Sequence, residues 1–344
     1  MQNKHASATE VAKLAGVSAA TVSYVLNNRR NQTISPATRQ RVLDAAQALQ
    51  YRPNRLANGV LRGKSDIIGI VAGILNNEYH SNVLTGVCDA LSKAGYHSFV
   101  SRAESKDTVL REIDLMIEHR VDGMVLMCET GEWLRQKIAC EHVPSVIIDS
   151  RDFADVADCV VSDDIAGTRA AIDHLIGLGH RRIGFWTYAG DGSPYRDRRT
   201  GYEIALSAAG IDIDGTLVRS VPEPTEQYSI ALRDWLDEPN PPTAIFCMVD
   251  MAAMFVRRAC EEIGMRVPDD LAIVGYSNQV YSHCADLTTV DQYPRTLGKL
   301  AVERLLQRIE DPSKPTGVQY IPTELIVRSS TVALMRRRWF ESIK

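Results

Sequence analysis

Residues 8–27 read ATEVAKLAGVSAATVSYVLN, and this stretch decides the architecture of the first part of the chain. Ser7 and Glu10 have the spacing of a capping box, in which the serine accepts the third amide and the glutamate reaches back to the cap. Val11, Leu14 and Ala15 follow at helical spacing. Gly16 ends the helix, because glycine takes the left-handed terminal conformation at little cost. Ser18 caps a second helix whose apolar face is Val22, Val25 and Leu26. Ala12, Gly16 and Val22 then stand where a helix-turn-helix needs a tiny residue at the crossing, a glycine in the turn and an apolar lock. Downstream, Ser35-Pro36 opens a third helix as cap and first-turn proline. Its apolar stripe is Val42, Ala45, Ala46 and Leu49.

In such a motif the second helix enters the DNA major groove by its N-terminal part. Its outward residues are Ala19, Ala20 and Tyr24. The alanine methyls suit thymine methyl contact, and the Tyr24 hydroxyl can donate or accept at a base edge. Ser7, Ser18, Thr21, Ser23, Asn27, Ser35 and Thr38 carry short polar groups suited to phosphate oxygens. Arg29 and Arg30 add salt-dependent attraction without sequence information.

The charge distribution agrees. Over 344 residues there are 39 basic and 43 acidic side chains, a net charge of -4 that taken whole disfavours a polyanion partner. Residues 1–64, however, hold ten basic groups and two acidic ones, or +8, which leaves -12 for the remainder. A basic head on an acidic body is the asymmetry of a nucleic-acid-binding module joined to something else. The length suggests two or three domains. No apolar run reaches the roughly 18 residues of a membrane span, and the polar start is no signal peptide, so a cytoplasmic protein is expected. The seven cysteines are scattered, without a Cys-x-x-Cys pair, and read as small hydrophobes in a reducing compartment.

These motifs carry a family resemblance. The quoted run, then SPATRQRV and YRPNRLANG, and further on VDGMVLM, VPSVIID, HLIGLGHRRIGF, RRTGY, PTAIF, VPDDLAIVGY, LTTVDQ and ELIVRSST, resemble the LacI/GalR family of bacterial transcription regulators across nearly the whole chain. The resemblance implies a repressor acting as a homodimer on a near-palindromic, double-stranded operator, with affinity controlled by a small-molecule effector. It also implies a hinge helix that folds on the operator and wedges an apolar side chain into the minor groove. Here that segment holds Asn54, Arg55, Ala57, Val60 and Leu61. Asn54 and Ala57 match the family, whereas Val60 replaces a leucine and Gly59 precedes it. A glycine within a helix costs about 1 kcal/mol relative to alanine, so hinge folding should be strongly coupled to DNA. The loop from Asn28 to Ile34 is about two residues longer than the family pattern.

From Ile67 onward strands and helices alternate, with strands expected at 67–74, 96–101, 123–127, 145–148, 183–186, 217–221, 244–248 and 271–274. That rhythm predicts parallel doubly wound sheets. Two successive runs suggest two lobes with a ligand in the crevice at the strand ends. The resemblance adds the periplasmic-binding-protein fold, with crossovers near Ser162 and Val290. The expected division is residues 1–52 as a helix-turn-helix domain, 53–65 as hinge and linker, and 66–335 as effector-binding and dimerisation domain. Within the last, the first lobe takes 66–161 and 291–335, and the second takes 162–290.

Candidate effector groups follow the strands: Tyr79, Asp149, Asp163, Asp250 and Ser277, with Arg198 at the start of Arg-x-x-Gly-Tyr. A planar guanidinium suits a carboxylate, a phosphate or vicinal hydroxyls. Arg198 and Asp149 match family positions. Ser277-Asn278 and Val249 stand where sugar-binding members carry other hydrogen-bonding groups, and Tyr79-His80 matches the aromatic pair of purine-binding members only in part. A sugar or sugar derivative is the favoured effector. No cofactor or metal is expected: the eight histidines form no His-Glu-x-x-His, and GVLRGKS at 59–65 is one residue short of a phosphate loop. Nor is there a Gly-x-Ser-x-Gly elbow. The alternatives are a ligand-responsive activator, decided by operator placement, and an enzyme on the same two-lobed fold, which leaves the basic head without a purpose. The tail after Val332 carries no heptads for a tetramer bundle and includes Arg336–Arg338, read as a solvated tail.

Overall fold

Glu10 and Ser7 form the reciprocal cap the sequence predicts: the Glu10 amide donates to Ser7 Oγ at 3.3 Å, and the Ser7 amide to Glu10 Oε2 at 2.7 Å. The computed structural model describes residues 6–26, 34–52, 63–188, 190–221 and 227–332. They fall in two units, Met1–Ser65 and Asp66–Lys344. The first contains helices α1 (Ala8–Ala15), α2 (Ala19–Leu26) and α3 (Pro36–Ala48). Gly16 ends α1 at φ 64, where its amide reaches the Ala12 carbonyl. Val11, Ala12, Ala15, Val22, Val25, Val42, Ala45 and Ala46 are buried together. Leu14, expected in the same stripe, is 58% exposed. It lies roughly 100° around the helix from the centre of the Val11–Ala12–Ala15 face.

The second unit has two lobes. The first is a parallel sheet in the order β11-β5-β4-β3-β1-β2. Its strands are β1 (Ile67–Ala72), β2 (His97–Arg102), β3 (Gly123–Met127), β4 (Ser145–Ile148), β5 (Asp158–Ser162) and β11 (Val318–Ile321). Helices α4 (Glu78–Lys93), α5 (Lys106–Glu118), α6 (Glu132–Cys140) and α12 (Pro294–Glu310) accompany it. The buried strands β1, β3 and β4 are nearly continuous apolar runs, as parallel strands covered on both faces require, whereas β5 is apolar only at 159–161, between Asp158 and Ser162. Glycines let α4 and α12 approach closely: a Cβ on Gly86 would fall 2.2 Å from the Arg295 carbonyl oxygen, and one on Gly298 2.2 Å from that of Val83. Asp158, 1% exposed, is held between Arg304 at 2.8 Å and Arg308 at 2.9 Å, both on α12.

The second lobe is a parallel sheet in the order β7-β6-β8-β9, with β6 (Ile183–Thr187), β7 (Val218–Ser220), β8 (Ala244–Cys247) and β9 (Ala272–Val274). Its helices are α7 (Asp164–Gly177), α8 (Ser193–Ala208), α9 (Gln227–Leu236), α10 (Asp250–Glu262) and α11 (Val280–Cys284). Leu217, expected within a strand, lies in a 3-10 turn over Gly215–Leu217 that Asp214 caps.

The chain passes between the lobes after β5, again after β10 (Thr289–Asp291), and a third time after β11. The Asp163 amide donates to the Ile321 carbonyl at 2.8 Å, which ties the first crossing to the third. The third crossing corrects the expected division. β12 (Glu324–Ile326) pairs antiparallel with β10, and Ser330 donates its hydroxyl to the Ile273 carbonyl at 2.6 Å. Arg328 Nη1 also reaches the Leu287 carbonyl at 2.7 Å. Residues 324–331 therefore join the second lobe and not the first, held by polar groups that hydrophobic patterning does not detect.

Candidate functional site

On the helix-turn-helix unit, Ser18, Ala19 and Ala20 are exposed and Thr21, Ser23 and Tyr24 half-buried, while Val22 and Val25 point inward. One face of α2 is thus fixed by the core and the other left to solvent. Three of the candidate phosphate serines have a second use. Ser18 Oγ accepts the Thr21 amide at 3.1 Å, Ser35 Oγ accepts the Thr38 amide at 3.2 Å and donates to Thr38 Oγ1, and Ser7 donates to Glu10. Ser7, Ser18 and Ser35 are each a helix cap. Asn27, Arg29, Arg30 and the hinge residues Asn54, Arg55, Ala57, Val60 and Leu61 lie outside the described residues.

In the second unit, the ends of β1 and β4 and the start of α4 bring Tyr79 and Asp149 together. The Tyr79 hydroxyl donates to Asp149 Oδ1 at 2.8 Å. Asp149 is held at φ 60, a conformation side chains rarely adopt. Such strained residues cluster at functional sites. From the second lobe come Arg198, 6% exposed on α8, and Asp164, 5% exposed in the first turn of α7. Arg198 Nε lies 3.3 Å from Asp164 Oδ2, Arg198 Nη1 donates to the Met248 carbonyl at 2.7 Å, and the guanidinium sits 4.0 Å above the Tyr276 ring. The Tyr276 hydroxyl donates to Asp164 Oδ1 at 2.8 Å.

Burial pushes the Asp149 carboxyl up to about 6, against the opposing hydrogen bond of Tyr79 and charge of Arg198. Burial likewise raises Asp164 to about 6, against the charge of Arg198 and the hydrogen bond of Tyr276. The field of Arg198 thus reaches the carboxylates of both lobes. A cleft of about 460 Å³ opens beside Asp149, lined from the first lobe by Ile74, His80, Met127 and Ser150, and from the second by Gly192 and Ser193.

Asp163 and Asp250, also expected here, have oxygens engaged by the fold. Asp163 Oδ1 accepts the Ala166 amide and caps α7. Asp250, fully buried, accepts from the Gln279 amide at 2.9 Å and from Thr289 Oγ1 at 2.5 Å. The buried partner of Arg198 is the neighbouring Asp164. Ser277 donates to Gln292 Oε1 at 3.1 Å and lines a separate cavity of about 280 Å³ that also includes Tyr79. Among the described residues no group of three or more His, Cys, Asp or Glu side chains is placed to hold a metal ion, and no helix is long and apolar enough to cross a membrane.

Comparison with known proteins decides the family. Residues 8–54 match the model of bacterial regulatory proteins of the lacI family, and residues 172–331 match a periplasmic binding protein-like domain. The HTH-type transcriptional repressor PurR of Photobacterium profundum is 32% identical over 333 residues, covering 93% of this chain and 97% of that protein. The chain belongs to the lacI family of bacterial regulatory proteins. It is a DNA-binding transcriptional repressor, not an enzyme. Among solved structures, the lac repressor dimer bound to operator and the anti-inducer ONPF superposes with a TM-score of 0.86, at 28% identity over 96% of this chain and 100% of that one. The transcriptional regulator CelR in complex with cellobiose gives 0.71, at 30% identity over 94% and 99%.

Within the repressor, sequence reading missed Asp164, Tyr276 and the interlobe ion pairs. Arg151, just after β4, forms a forked pair with Asp197 of α8, with contacts of 2.5 to 3.2 Å. Beside it Arg196 of α8 reaches Asp152 at 2.6 and 2.8 Å. The tandem Asp163-Asp164 and the arginine-rich run Arg196–Arg199 were the available signals. The Arg-x-x-Gly-Tyr motif is now explained whole. Arg198 enters the site and the Tyr202 hydroxyl donates to the Ile183 carbonyl at 2.7 Å. A Cβ on Gly201 would stand 2.5 Å from the Ile165 carbonyl oxygen, so the glycine lets α8 close on α7. Gly201→Val is therefore expected to lower stability by about 1–3 kcal/mol, read as a lower denaturant midpoint.

Proposed function

We propose that the repressor binds a near-palindromic operator as a homodimer and releases or tightens it in response to a small effector, a sugar or sugar derivative, held between the lobes. The facing pairs carry this reading: Tyr79–Asp149 on one lobe and Arg198–Asp164–Tyr276 on the other, beside an open cleft. The cellobiose in the related regulator supports a sugar. The dimeric lac repressor supports the assembly, as do Phe99 and Val100, which are 36% and 39% exposed on the edge strand β2. The operator places the repressor in the cytoplasm.

Ala19, Ala20 and Tyr24 read bases. Thr21, Ser23 and Asn27 meet phosphates, with Arg29 and Arg30 adding charge. Ser7, Ser18, Ser35 and Thr38 contribute chiefly by presenting the first-turn amides of capped helices to the backbone, a geometry suited to anions. Asn54, Arg55, Ala57, Val60 and Leu61 form the minor-groove hinge. Tyr24→Ala tests the readout. It should cost about 1–3 kcal/mol on the operator and relax preference at one or two base positions, with little change on random DNA. Equal losses on both DNAs in a binding titration would remove Tyr24 from the readout set.

A further inference from the structure

We propose that the interlobe cleft selects its ligand by charge, accepting a hydroxyl-rich molecule that is uncharged or carries an amine, and rejecting phosphorylated or carboxylated counterparts. This rests on the reading of the cleft as the effector site and specifies the chemistry it takes.

The charged residues lining the cleft of about 460 Å³ are Glu104, Glu129 and Asp149, and no lysine or arginine is among its described lining residues. Glu104 and Glu129 are exposed at its rim, and Asp149 is half-buried. Arg198, the cation expected to receive an anion, is not among the lining residues and is charge-compensated: Asp164 lies 3.3 Å from its Nε, although that N–H makes no hydrogen bond, the Met248 carbonyl takes Nη1, and the Tyr276 ring covers its face. A phosphate would enter a pocket whose charged lining groups are all carboxylates, and the nearby guanidinium is charge-compensated. Desolvating an anion there without a new partner is costly.

Two buried groups point to what the pocket does want. Ser150, 4% exposed, has an Oγ without a hydrogen-bond partner, and His80 Nδ1 is buried and unpartnered as well. Both residues line the cleft. Unsatisfied buried polar atoms are rare in folded proteins and mark positions that a ligand or water completes. Burial also lowers the His80 pKa, so the imidazole stays neutral and offers no positive charge. Asp149 offers a carboxylate that accepts hydrogen bonds. Hydroxyls and amines, each able to donate, satisfy this set.

The test uses the full-length chain and matched sets of probes: ribose, glucose and cellobiose, glucosamine, the phosphate esters of ribose and glucose, and gluconate. Thermal shift finds the binders and calorimetry ranks them. The proposal expects binding by neutral or amine-bearing members, with phosphate and acid forms at least about tenfold weaker than their parents. Because exposed charges contribute up to about fivefold each, Glu104→Gln with Glu129→Gln should remove most of that discrimination. Glu129→Gln alone, which leaves the Arg102–Glu104 pair intact, should remove part of it. High salt should shrink the wild-type discrimination, since rim charges are screened. A phosphate or acid that binds more tightly than its parent overturns the charge rule while leaving the effector site in place. Discrimination unchanged in the double variant overturns it too. A panel without any binder, charged or neutral, overturns the effector reading itself, and the charge rule with it.

Discussion

Arg198→Met should abolish effector control while leaving operator affinity within about twofold. One side chain holds Asp164, the Met248 carbonyl and the Tyr276 ring, and its field reaches Asp149 across the cleft. Asp164 and Tyr276 then lose the group that fixes them beside the cleft, and losing buried charge-assisted contacts of this kind costs about 2–3 kcal/mol, on the order of a hundredfold in effector affinity through positioning. Operator titrations with and without the effector give the measurement. A variant that still responds at the wild-type effector concentration would remove Arg198 from the site.

A second signature needs no ligand. Both Asp149 and Asp164 have folded-state pKa values raised to about 6. Their contribution to stability is present below the unfolded carboxylate value and is lost as pH rises through 6, because there the folded state binds more protons than the unfolded chain. Without Arg198 both values move higher. The variant should therefore keep losing stability above pH 6, where the wild type has levelled off. Parallel melting curves across that range would contradict the electrostatic role. Arg198→Lys keeps the charge but not the planar fork, so it should restore the pH profile and not the effector response.

Asp158→Ala is expected to have the largest effect on stability, about 3 kcal/mol or more, since breaking a buried ion pair leaves uncompensated charge behind. Asp158 starts β5, whereas Arg304 and Arg308 lie on α12, nearly 150 residues later. Arg308 also donates to the carbonyls of Pro312 and Pro315, which positions the approach to β11. The carboxylate thus joins the early and late segments of the first lobe. Asp158→Asn keeps the shape and part of the hydrogen bonding and should cost less. A midpoint for Asp158→Ala within experimental error of the wild type would show that the arginines relax freely into solvent.

Much of this was legible from residues alone. The capping box at Ser7 and Glu10, the turn at Gly16 and the buried partners Ala12 and Val22 follow from local rules that the neighbouring residues cannot easily override. The parallel strands at Gly123–Met127 and Ser145–Ile148 were equally plain, because their continuous apolar runs have no other stable use. What escaped was non-local and polar. β5, β10, β11 and β12 are short strands defined by which partner they meet, and Ser330 or Arg328 carries no pattern that names that partner. Of the candidates named from sequence, the structure brings Tyr79 to Asp149 and gives Asp163 and Asp250 partners within the fold, while Asp164 and Tyr276, not named, stand beside Arg198. One residue of helical phase separates the cap Asp163 from Asp164, the partner of Arg198, and sequence spacing does not resolve that phase.

The three crossings between the lobes have a mechanical consequence. A single connecting strand lets two bodies bend, twist and slide. Three connections, the first tied to the third at Asp163 and Ile321 and to the second at Ser162 and Gln292, resist twisting and sliding and leave bending as the softest motion. The second unit is then a linkage with one principal degree of freedom, like a door on three pins. A ligand in the cleft then acts most readily on opening and closing, and ligands of different shapes differ first in how far they move it.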